Sequence, residues 1–133
     1  MKNKIAYTIV RVLLGIAFLV FGANKIFPFM PVGELPQPAM DFLVAMMGTG
    51  YFMPFLGLVE ILVGILLLAN FWVPLAMIIL SPIMLNIVLF TVFLAPGAFG
   101  MGLTALFVIL QVYVMYCTWG AYKSLFMTKT VLM

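Results

Sequence analysis

The chain has no histidine and a single cysteine, Cys117, which closes off several ways of holding a redox centre. Haem between paired histidines, a zinc or copper cage and an internal disulfide all need residues that are not there, and no metal site is expected. Dithiol chemistry would need a partner protein. Charge is scarce too: Lys and Arg number six, Asp and Glu three, and charged residues make up 7% of the 133 positions. Ordinary globular chains are about a quarter charged. The cations stand mostly near the two chain ends, so no basic face exists for nucleic acid.

What the sequence has instead is apolar length. Hydrophobic residues make up 68% of it, more than a water-soluble core of this size can hide, and lipid is the solvent that fits. A membrane-crossing helix needs about 20 apolar residues to span a hydrocarbon core of about 30 Å. Four segments meet that length: Ile5 to Phe27, Tyr51 to Ala69, Phe71 to Ala95 and Phe99 to Ala121. The second and third are joined around Asn70, and the third and fourth are split by Pro96, Gly97 and Ala98. Connections that short force neighbouring spans to run antiparallel. The expected fold is therefore an all-α membrane protein, one domain built as an antiparallel bundle of four transmembrane helices with a tail at 122–133.

The first residues, MKNKIAYTIVRVLLGIAFLVFGANK, have the basic head and apolar run of a secretory signal. Arg11 interrupts the run, Phe21 stands where a cleavage site wants a small residue, and helical periodicity continues throughout, so a retained first span is expected. Lys2 and Lys4 precede that span and Lys123 and Lys129 follow the fourth, whereas Lys25 on the opposite side is accompanied by Glu34 and Asp41. The positive-inside rule then puts both termini in the cytoplasm. Residues 28–50 become the first extracytoplasmic loop, opening with the proline-rich FPFMPVGELPQPAM. From Pro38 the pattern PAMDFLVAMMG reads as a short amphipathic helix on the outer face, with Asp41 near its start and Gly48 as its stop. Phe42, Leu43, Met46 and Met47 are expected to turn towards the bundle or the lipid.

Polar residues enter the spans in a pattern. Arg11, Gly15, Phe18, Gly22 and Lys25 follow steps of four, three, four and three and so share one face of the first helix. Gly57, Glu60 and Gly64 repeat the device on the second, where glycines let another helix come close. Asn86 follows Ser81 and Pro82 on the third helix, and Thr104, Gln111 and Thr118 recur every seven residues on the fourth. Counting ~1.5 Å of rise per residue, Arg11, Glu60, Asn86 and Gln111 are expected to converge near mid-depth from four different helices. An isolated charge there costs at least ~2.5 kcal/mol, so Arg11 and Glu60 are expected to pair.

Three readings of the cluster stay open. It is an ion pair that fixes helix register, a contact with another subunit, or a pocket for a polar-headed lipidic ligand. In the last case Arg11 and Gln111 donate hydrogen bonds and Glu60 exchanges a proton. Lys25 either snorkels to the headgroups or joins Asn24 in an outer anion site. Cys117 and the twelve methionines are read as packing groups.

The residues just named carry a resemblance. Arg11, Gly15, Gly22 and Lys25, then GYFMPFLGLVEILVGILLL around Glu60, then SPIMLNIVLF around Asn86, resemble the DoxX family of small bacterial four-helix membrane proteins. The family is named for its similarity to a subunit of a thiosulfate to quinone oxidoreductase of archaeal membranes. Other relatives are proposed to partner soluble thiol or superoxide-handling enzymes, or to act as membrane chaperones. The resemblance implies a bacterial inner-membrane subunit of a quinone-linked sulfur or thiol redox system, with no intrinsic cofactor and with quinone or lipid as ligand. It places Arg11, Lys25 and Glu60 on the polar positions of the family pattern. It also implies a histidine directly after Phe90, where this chain has Thr91, so a proton relay at that position is not expected here. The competing reading is a non-enzymatic scaffold or assembly factor that recognises a protein partner or a second copy, with the ion pair purely structural. A transporter of small anions fits less well, because no inverted repeat is visible.

Overall fold

The computed structural model describes residues 4–27 and 35–126. Lys2, Glu34, Lys129 and the rest of 28–34 and 127–133, on which part of the orientation argument rests, lie outside the described residues.

Five α-helices are present and, among the described residues, no strand: α1 Lys4–Ile26, α2 Gln37–Gly48, α3 Phe52–Ala69, α4 Val73–Phe93 and α5 Ala98–Cys117. All but α2 are long and apolar enough to cross a membrane. Their starts fall within two residues of the hydrophobic runs that predict them. Asn70 ends α3 as expected, at φ 55°, a left-handed conformation that asparagine tolerates better than most residues. The reversal returns the Asn70 N–H to the Leu67 carbonyl at 3.3 Å and the Phe71 N–H to that of Leu66 at 3.0 Å, the paired pattern of a Schellman stop. Pro74 then sits in the first turn of α4, where its missing N–H costs nothing.

The fourth run ends earlier than expected. α5 stops at Cys117 rather than Ala121, and the chain tightens into 3-10 turns at Trp119–Ala121 and Lys123–Phe126. Thr118 explains the change: its N–H is shared between the Val114 and Met115 carbonyls at 3.1 and 3.2 Å, and its hydroxyl also bonds to Val114. Tyr122 folds back into the core, 3.0 Å from the Thr118 hydroxyl, and burial pushes its phenol above the ordinary range.

Leu14, Phe18, Val63, Leu67, Ala76, Met77, Leu80 and Val114 make one buried cluster from all four long helices. α1 packs most intimately on α3, and α3 also meets α4, α4 meets α5, and α5 returns to α1. Phe18 and Phe21 of α1 stand edge-on to Phe107 of α5, with centroids 6.1 and 5.7 Å apart. α2 is tied down by buried Ala39 and by Phe42, whose ring lies 5.7 Å from that of Phe90. Leu43 and Met46 are half-buried, and Met47 is exposed.

Candidate functional site

Glycine sets the geometry between α1 and α3. A Cβ on Gly22 would stand 2.5 Å from the Gly57 carbonyl oxygen, and one on Gly64 would stand 2.7 Å from that of Gly15. The two glycine faces therefore close on each other's backbone. Contacts that climb along α1, from Gly15 to Gly22, descend along α3, from Gly64 to Gly57, so this pair runs in opposite senses.

That register decides which charges meet. Helical side chains lean towards the N-terminus of their own helix. Lys25 leans back into the bundle, Glu60 leans towards the Phe52 end of α3, and the two meet. The Lys25 ammonium donates to Oε1 of Glu60 at 3.1 Å and lies 2.7 Å from Oε2, outside hydrogen-bond geometry. Glu60 is 1% exposed and Lys25 22%.

Arg11 leans in the same direction along α1, which carries it away from Glu60; it does not pair with that carboxylate, which corrects the sequence expectation. Its Nη1 donates to the Leu67 carbonyl and, at 3.3 Å, to that of Leu68. Both carbonyls belong to the last turn of α3, where backbone acceptors lack a helical donor and the helix dipole is negative. Arg11 is thus a C-terminal cap in trans, lying 5.8 Å from the centre of the Tyr7 ring, with its buried Nε unbonded.

The expected convergence of four polar residues separates into distinct places. Gln111 is buried against α4, donating to Ser81 Oγ at 3.2 Å and to the Met77 carbonyl at 3.5 Å, while its Oε1 has no partner. Asn86 is exposed on α4 and joins neither group. Depth along the bilayer puts these residues near one another, but azimuth around each helix, which residue spacing does not specify, does not. Glu60 is 1% exposed and stands between Gly57 and Gly64, where the two helix backbones close on each other. The outer anion site fares similarly: Asn24 is half-buried, and the Lys25 ammonium is engaged by the carboxylate.

Sequence reasoning missed a different feature. A hollow of about 370 Å³ opens between α4 and α5, walled by Val88, Val92, Met101, Ala105, Val108 and Ile109 with Thr91 and Thr104 in its lining. The two threonine hydroxyls lie 3.0 Å apart. A second hollow of about 420 Å³ shares Val108 and Ile109 and runs along α5 to Tyr113 and Tyr116. The seven-residue polar step at Thr104 was the available signal, and its partner Thr91 lay on another helix.

Four long apolar helices, with Arg11, Lys25, Glu60 and Gln111 engaged between them, define an integral membrane protein that crosses the bilayer several times. The family model for DoxX matches residues 6–116, and the chain belongs to the DoxX family. No curated protein and no solved structure matches it.

Proposed function

We propose that this protein is the membrane subunit of a quinone-linked sulfur or thiol redox system, with the quinone held between α4 and α5. It sits in a bacterial inner membrane as an antiparallel four-span bundle, both termini cytoplasmic, with α2 amphipathic on the outer surface. Lys4 and Lys123 among the described residues support that orientation.

The observation that carries the reading is the threonine pair. Thr8, Ser81 and Thr118 each donate their hydroxyl to the carbonyl four residues earlier, at 2.8, 2.8 and 2.9 Å. Thr91 and Thr104 instead bond to each other. One hydroxyl proton serves that bond, and the second has no acceptor among the described residues. An unused donor in an apolar hollow is costly, and a quinone carbonyl is an acceptor that can enter from lipid. The neighbouring hollow along Val108, Ile109 and Val112 suits an isoprenoid tail. Neither threonine titrates, so they bind and orient the ring, while electrons and protons for its reduction come from the partner and from water.

The test is quinone binding to the protein in lipid nanodiscs. Replacing both hydroxyls, Thr91→Val with Thr104→Val, is expected to weaken binding about three- to tenfold, the worth of one hydrogen bond. Unchanged affinity, or no binding by the native protein, rejects the reading.

A scaffold that recognises another protein is the second reading, and the closed Lys25–Glu60 contact favours it, since a pair sealed by glycine backbones does structural work. It predicts partner association that survives Lys25→Met with Glu60→Leu, together with no quinone binding.

A further inference from the structure

We propose that α4 is a contact between two copies of this chain, joined across a two-fold axis at Asn86. The observation is an exposed primary amide with no hydrogen bond to any described residue. Asn86 stands thirteen residues after the start of α4 and seven before its end. At 1.5 Å per residue it lies about 20 Å and about 10 Å from those ends, well inside the hydrocarbon. Facing acyl chains there, its two donors and its acceptor oxygen would all be unpaired.

The surrounding face has the spacing of a helix contact. Leu75, Pro82, Asn86, Leu89 and Phe93 follow steps of seven, four, three and four, and all are exposed. Alternating threes and fours make the seam that interlocks with another helix, and a single polar residue within it fixes register and partner. Pro82 adds a second unpaired group, because its missing N–H leaves the Ile78 carbonyl without a helical donor. A hollow of about 280 Å³ between Asn86, Phe42 and Phe93 leaves room for a side chain from outside.

A second copy is the occupant that answers these features together. Copies inserted in the same direction are related by an axis along the membrane normal, so Asn86 of each arrives at the same depth. An amide is self-complementary: each Nδ2 donates to the other's Oδ1. An unrelated partner would need a polar group independently matched in depth and azimuth. Thr91 is five residues on, about 140° around the helix, so the Asn86 amide and the threonine pair face different ways and the two proposals fail independently.

The test is energy transfer between differently labelled full-length chains diluted in lipid vesicles, with helical circular dichroism to verify folding. The native chain is expected to associate, and Asn86→Leu to lower the association constant at least about fivefold, while Leu62→Ala on the exposed face of α3 leaves it unchanged. In a Cys117→Ser background treated with a membrane-permeant copper–phenanthroline oxidant, Asn86→Cys is expected to form a disulfide-linked dimer and Leu62→Cys not to. A monomeric native chain, an unchanged constant in Asn86→Leu, or cross-linking through position 62 rather than 86 overturns the proposal.

Discussion

A methyl group on Gly22 would lie 2.5 Å from the Gly57 carbonyl and 2.8 Å from Ile61, and backbone cannot step aside as a flexible side chain can. Gly22→Ala and Gly57→Ala are therefore expected to destabilise the protein by about 1–3 kcal/mol each, read as a lower thermal midpoint in detergent. At Gly102 an added Cβ meets no group beyond its own stretch of helix backbone within 4 Å among the described residues, and alanine there should be neutral or mildly stabilising. The ion pair predicts an asymmetry. Lys25→Ala strands a carboxylate that is 1% exposed and is expected to cost about 3–5 kcal/mol. Glu60→Ala costs less, because the freed lysine can swing to the headgroups. Equal losses from the two changes would show that the pair does not hold the contact. Glu60 and the glycines were legible as a close contact between two spans from their spacing, and Lys25 as a member of the same α1 face but not as the partner of Glu60. Which cation reaches Glu60 was not legible, because spacing gives Cα depth and does not record the opposite lean of side chains on opposed helices.

At the scale of elements, the end of α3 is held from two sides. Asn70 supplies the left-handed residue within the chain, and Arg11 supplies donors from α1. Arg11→Met keeps the apolar stem and removes the donors. It is expected to speed amide exchange at Asn70 and Phe71, whose N–H groups close the same turn, by about tenfold, while exchange near Val63 is unchanged. Uniform acceleration along α3 would mean that Arg11 acts on packing generally. The starts of the helices were readable because lipid imposes one length on every span and because Pro and Asn mark the turns. The end of α5 was not, since Trp119 to Ala121 is apolar enough to continue a helix. Shared hydrogen bonds at Thr118 tighten the chain there, and composition does not record them.

At the scale of the molecule, hydrophobic runs revealed four membrane-crossing helices, and short motifs revealed the family. They left unspecified how the helices rotate about their axes. Asn86 belongs to the same depth zone as Gln111, yet one faces outward and the other is sealed against Ser81. The threonine hollow was invisible for the same reason, since it exists only where α4 meets α5.

The contact between α1 and α3 also has a consequence for biogenesis. Arg11 and Lys25, the two cations that α1 places within the bundle, both find their partners on α3, which is synthesised later. Until α3 emerges, Arg11 has no carbonyls to cap and Lys25 can only reach for the headgroups, so α1 takes up its final contacts only once α3 has joined it.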